Sequence, residues 1–192
     1  MGSMKEVDAQ KMIVDAIRAH HGFAMKLTHK FFVGIPDLLI QMREFTTSLW
    51  EVKINDAPKS PTSTVHLALT KLQQKTLKDY VDAGGIGGAI SILRTPTELL
   101  MGAFEYDILM YRDAYIWPMR VARQSHFELR RGMRNEDIYN IMVGVLRNAE
   151  KRRRNRELTG QPGEHTWGLP SGSVDNTEDK EFVARGVRVE RS

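Results

Sequence analysis

Apolar positions set out most of the chain's elements. Met12, Ile13, Ala16 and Ile17 recur at helical spacing and predict a helix from Lys5 to His20, ended by Gly22. Phe23 to Leu27, with Phe31 to Val33 approaching Gly34, reads as a first strand. Leu38 to Ile40 is a short apolar run behind a Gly-x-Pro turn and predicts a second strand; Leu49 to Ile54 predicts a third. Met42 to Ser48 is the turn between them, so those two strands should pair. Asn55 to Val65 has turn composition throughout. A helix follows from Leu69 to Ala83, with Leu72, Thr76, Leu77, Tyr80 and Val81 as its inner stripe. Gly84 to Gly88 caps it and turns into a strand from Ala89 to Leu93. Helix, three strands, helix, strand is an α/β order that implies a mixed sheet.

Past Thr95 the pattern loosens. Glu98 to Pro118 is apolar and aromatic, with Tyr106, Tyr111, Tyr115 and Trp117, and reads as packing rather than a base-stacking platform. Asn135 is placed to cap a helix carrying Ile138, Ile141, Met142, Val145 and Leu146. That helix runs into Lys151-Arg152-Arg153-Arg154-Asn155-Arg156. The division expected is a core over 4–95, a mainly helical extension over 96–158, and a tail over 159–192 that is disordered or orders only on a partner.

A few polar residues break the pattern, and they carry the candidate chemistry. Side chains alternate along a strand, so Glu51 and Lys53 share one face while Val52 takes the other. If the second and third strands pair, Asp37 and Glu51 come close at one end of the sheet. Two carboxylates beside a lysine make a poor core. They make a good site for a divalent cation, because magnesium takes hard oxygen ligands and such a cation can activate water and offset phosphodiester charge. On the helical wheel Glu6 falls within the apolar stripe of the first helix, whereas Asp8 and Asp15 fall on its flank. A carboxylate there needs a reason: either it favours the helix dipole from the first turn, or it points at a metal. Gln73 falls inside the second helix's stripe, as a satisfied core amide or as part of a site.

Composition bounds this reading. With 192 residues, 41% hydrophobic and 27% charged, the chain suits a globular protein. No apolar run of about 18 residues appears, so no membrane span is expected, and no secretory leader is seen. Met1-Gly2-Ser3 ahead of Met4 is set aside as a cloning remnant. The absence of cysteine removes disulfides and thiolate metal sites and fits a cytoplasmic setting. His20, His21 and His29 lack a second cluster at ligand spacing. The glycine run is no phosphate loop, since no Gly-Lys-Ser/Thr follows. A net charge of +4 suits an anionic partner. The run from Lys151 to Arg156 is a solvated helix end or a phosphate-binding patch.

Gly34-Ile35-Pro36-Asp37, the apolar run behind it, and Glu51-Val52-Lys53 resemble the PD-(D/E)xK nuclease signature, and within it the VRR-NUC branch of phage and bacterial structure-specific nucleases. The resemblance spans about Lys5 to Leu93. It implies a restriction-endonuclease-like core, a mixed sheet flanked by helices, here with a helical C-terminal extension. It implies DNA as substrate and Mg2+ or Mn2+ as cofactor, with Asp37, Glu51 and the Val52 carbonyl as ligands. Glu6 then completes the acidic cluster or holds water at the cation. Lys53 orients and deprotonates the attacking water, or stabilises the charge at phosphorus. The branch's Ser/Thr-x-x-Gln is matched by Thr70 and Gln73, after an interval from Lys53 longer than expected. Beside such a motif, Lys151, Arg152, Arg153, Arg154 and Arg156 are expected to contact the DNA backbone. Resolution of branched DNA needs two sites, so a symmetric dimer is expected for that substrate. The rival readings are a nuclease-fold binding module that does not cut, such as a phage accessory protein, and an assembly protein in which these residues form an ordinary ion-pair cluster.

Overall fold

In the computed structural model, which describes residues 4–27, 34–60, 63–97, 99–111, 113–116 and 134–159, the first helical stripe folds as expected. Helix α1 runs Glu6–Ala19, and Ala9, Ile13, Ala16 and Ile17 are fully buried along one face. Asp8 accepts from the Lys5 amide at 3.1 Å, which satisfies a backbone donor at the helix start.

Strands β1 (Phe23–Lys26), β2 (Leu38–Gln41) and β3 (Ser48–Asp56) form an antiparallel meander. A two-residue strand β4 (Val65–His66) and helix α2 (Lys71–Asp82) follow. Strand β5 (Ile86–Arg94) then pairs parallel with β3, which is why the chain must cross back through α2. Strand β6 (Leu99–Glu105) closes the far edge antiparallel to β5, giving the order β1-β2-β3-β5-β6. Helix α3 (Tyr106–Tyr111) and strand β7 (Tyr115–Ile116), which pairs with β4, lead to helix α4 (Asn135–Thr159).

Strand alternation splits the apolar residues between two layers. Trp50, Val52, Ile90, Ile92, Met101 and Ala103 pack with Ile13 and Ile17 of α1 and Ile138, Met142 and Leu146 of α4. On the other face Leu49, Ala89, Leu93 and Phe104 pack with Leu77 of α2 and Leu109 of α3. This is an α/β architecture: a mixed sheet flanked by helices, with a C-terminal helix.

Four sequence expectations differ in detail. The segment from residue 96 opens with a strand rather than a helix, because the apolar run Leu99–Phe104 finds the free edge of β5. Its Met101 and Ala103, and the inner face of α4, lie in the same core as Ile13 and Trp50. Gly84, at φ 90°, ends α2, but Gly87 and Gly88 lie inside β5. Within the expected α2 stripe Leu77 alone is buried and Leu72 is 44% exposed, since the first turn of α2 overhangs Gly34 instead of the core. The cap of α4 falls on Arg134, whose carbonyl accepts from Asp137 and Ile138, one residue before Asn135. The expected approach strand Phe31 to Val33, His29, Trp117 and the tail from Gly160 onward lie outside the described residues.

At Gly88 the backbone of β6 leaves no room for a side chain. A Cβ there would strike the Phe104 carbonyl on β6. A strand glycine normally costs about 0.5–1 kcal/mol relative to alanine, so propensity alone favours Gly88→Ala. The β5–β6 contact predicts the opposite sign, a loss of about 1–3 kcal/mol, read as a lower urea midpoint. A raised midpoint would contradict the close approach.

Candidate active site

The site begins where pairing stops. β2 starts at Leu38, opposite Trp50, whereas β3 continues to Asp56. Beyond Trp50 the β2-facing edge of β3 therefore has no strand beside it among the described residues, and its backbone groups need other partners. Asp37 supplies one: its Oδ2 accepts from the Val52 amide at 2.8 Å. The residue is held from both sides. Gly34 turns the chain at φ 90°, a conformation that favours glycine, and Pro36 is buried. The Leu27 amide donates to the Asp37 carbonyl at 2.7 Å, tying it to the end of β1.

Glu51 is 1% exposed on the α2 face of β3. Its Oε1 accepts from Lys53 Nζ at 2.6 Å and from Gln73 Nε2 at 2.5 Å. The Gln73 amide is itself aimed by the start of α2. Thr70 Oγ1 accepts from the Gln73 amide at 3.2 Å, and Gln73 Oε1 accepts from the Thr70 amide at 2.9 Å. This reciprocal cap pins the oxygen of the side chain to the helix and leaves its nitrogen for Glu51. Thus Thr70-x-x-Gln73 is at once a helix cap and a tether to the site.

Glu6, the first residue of α1, arrives from the other side of the sheet through the open edge. Carboxylate oxygens of Glu6, Asp37 and Glu51 lie within 4.8 Å of one another. Asp8 and Asp15 are exposed, as the helical wheel implies. The electrostatics of the cluster follow from its crowding. Burial pushes the Glu51 carboxyl up from its ordinary 4.5 to about 7, against the pull of the Lys53 hydrogen bond and with further push from Asp37 and Glu6. Glu6 is raised too, by burial first; Lys53 opposes the rise, and Asp37 adds to it.

The arrangement fits a hard divalent cation. All three ligand groups are carboxylates, the donor type magnesium and manganese take. Glu51 Oε2 is buried and finds no hydrogen-bond partner among the described residues. An unsatisfied buried carboxylate oxygen is costly, and a cation beside it would remove that cost.

The basic run lies elsewhere and is partly committed. Arg152 grips Glu105 through two nitrogens, with Nε–Oε2 at 3.0 Å. Arg153 bonds Glu150 and Glu157. Glu150 also accepts from the Thr46 amide at 2.7 Å, just before β3 begins. Glu105 and Glu150 are 5% and 7% exposed. Lys151 and Arg154 are exposed, and Arg156 belongs to the same helix, α4. The sequence offered no signal for these long-range pairs. It offered none either for the Asp37–Val52 bond, which depends on where β2 begins.

A pH dependence follows. Because folding raises the Glu51 pKa from 4.5 to about 7, its contribution to stability is fully present below 4.5 and is lost as pH rises through 7. Glu6 shifts in the same direction. In chelator the protein should therefore be less stable at pH 8 than at pH 5.5, by on the order of 3 kcal/mol at most. Thermal unfolding at the two pH values measures this. Glu51→Gln should remove most of the difference, and added Mg2+ or Mn2+ should raise the midpoint more at pH 8, where protons compete less for the ligands. A flat profile in chelator would contradict the crowded cluster.

No family model matches the chain, and no curated protein does. Among solved structures it is similar to Hjc, a Holliday junction resolvase from the archaeal hyperthermophile Archaeoglobus fulgidus. The match has 11% identity and a TM-score of 0.32, and covers 60% of this chain and 97% of that one.

Proposed function

We propose that this chain is a metal-dependent nuclease that hydrolyses phosphodiester bonds in DNA. In its finer form the reading is an endonuclease acting on branched or flapped DNA. The observation that carries it is the meeting of Glu6, Asp37 and Glu51 within 4.8 Å, beside a lysine, at an open sheet edge. A binding module has no use for three carboxylates crowded together at one sheet edge. A hydrolase has one, because three carboxylates so placed would hold a cation that offsets the charge of a phosphodiester.

The residues divide the work. Asp37, Glu51 and Glu6 would hold Mg2+ or Mn2+. Val52 would add its carbonyl: a strand residue's N–H and C=O look toward the same edge, and its N–H meets Asp37. When bound, the cation supplies charge to offset the phosphodiester and acidifies water. Lys53 is anchored by Glu51 and has two further N–H donors, which can orient the attacking water or the phosphoryl oxygen. Gln73 keeps Glu51 Oε1 in place, which would leave Oε2 for the cation. In the hydrolysis water gives its oxygen to phosphorus, and a proton ends on the departing sugar oxygen. Lys151 and Arg154, exposed on α4, are the members of the basic run best suited to backbone phosphates. No described helix is long and apolar enough to cross a membrane. A branched substrate would require two copies, one site per strand.

The test is cleavage of linear, single-stranded, flapped and branched DNA across a metal titration. Cleavage should require Mg2+ or Mn2+ and stop in chelator. Asp37→Asn and Glu51→Gln should each lower the rate by on the order of a hundredfold or more, with the unfolding midpoint kept or raised. Glu6→Gln should reduce it sharply, and Asp8→Asn and Asp15→Asn should leave it near wild type. Cleavage by Glu51→Gln at the wild-type rate would sink the reading.

A further inference from the structure

Lys26 has no part in the cluster described above, yet it lies beside it. It ends β1, pairs in register with Leu38, and precedes Leu27, whose amide holds the Asp37 carbonyl. Alternation along β1 puts it on the same face as buried Ala24, the α1 face, while Phe23 and Met25 are exposed on the other. Its charge is felt at Glu6: burial raises that carboxyl, and Lys53 and, more weakly, Lys26 pull it back.

The two lysines are used differently. Lys53, on the α2 face, is tied to Glu51 at 2.6 Å. Lys26 makes no hydrogen bond or salt bridge to any described residue, so its donors are free. The charges sharpen the contrast. Three carboxylates are balanced by one dication and Lys53. With the cation in place, Lys26 leaves one positive charge over, and it meets the single negative charge of a phosphodiester.

We propose that Lys26 binds a DNA phosphate next to the scissile one, on the α1 face of the sheet. The proposal rests on the nuclease reading and adds to it the direction in which the backbone leaves the site. It makes Lys26 a substrate-binding residue with no base-edge geometry of its own, hence indifferent to sequence.

The experiment uses the full chain in two arms. DNA binding by wild type, Lys26→Ala, Lys26→Gln and Lys26→Arg is followed across a salt series with Ca2+, another oxygen-seeking dication, in place of Mg2+ or Mn2+, and the DNA is checked to be uncut after each run. Mn2+ binding by the same proteins is measured by calorimetry without DNA. Lys26→Ala and Lys26→Gln should weaken DNA binding about five- to tenfold at low salt. They should flatten the salt slope by about 0.9, one phosphate contact. Lys26→Arg should retain most of the affinity, and Mn2+ should bind all variants as tightly as wild type or more so. An unchanged slope in a wild type that does bind DNA overturns the role of Lys26 and leaves the nuclease reading standing. Looser Mn2+ binding in Lys26→Ala also overturns it, because Lys26 would then be supporting the carboxylate cluster. A wild type that binds neither DNA nor Mn2+ overturns both readings at once.

Discussion

The mismatch in length between β2 and β3 decides what this sheet can do. Had β2 begun a few residues earlier, its backbone would have paired with Val52, and the edge would have been closed by strand. Instead the Asp37 side chain takes that amide. A carboxylate can cap a strand edge and still offer its second oxygen, which a backbone carbonyl in a ladder cannot do so freely. The same gap lets Glu6 come in from the α1 layer and meet Glu51 from the α2 layer. Two faces that a complete sheet would keep apart share one cluster because the pairing ends early.

That cluster works against the fold. Glu51 is buried, with one oxygen lacking a partner among the described residues and its pKa driven up to about 7. The cost is carried by features that hold the geometry regardless of charge: the Gly34 turn, the long β3–β5 register and the capping pair Thr70–Gln73. The Thr70–Gln73 cap links two scales directly. A helix start normally needs such a pair for its own orphan amides, and here the same amide group fixes a carboxylate on the neighbouring strand.

The sequence made some of this legible and hid the rest for physical reasons. Asp37, Glu51 and Lys53 could be singled out because strand alternation and a Gly-x-Pro turn are local signals. Glu6 could be separated from Asp8 and Asp15 because a wheel needs only the helix itself. The α/β order was readable from periods of apolar residues. β6 was not, since Leu99 to Phe104 is an unbroken run without alternation and becomes a strand only because β5 offers it an edge. The glycine run misled because a glycine can be chosen for a turn or for a close backbone contact, and Gly84 and Gly88 are one of each. Leu72 looked like core because the wheel cannot see that α2 begins beyond the sheet.

The basic run teaches the same distinction between composition and placement. By sequence Arg152, Arg153 and Arg154 are three equal charges. In the fold the first two serve nearly buried carboxylates, Glu105 at the end of β6 and Glu150 against the β2–β3 turn. A guanidinium suits that task, since its planar fork meets a carboxylate through two bonds, and removing it would strand a buried negative charge. These pairs lock α4 onto the end of the sheet at which β3 begins, while the carboxylate cluster lies farther along the same strand. Arg154 and Lys151 remain turned to solvent. Charge density along the chain therefore overstates what α4 can offer an anion, and among the described residues the cations felt at Glu6 are two lysines the run does not include, Lys53 and Lys26.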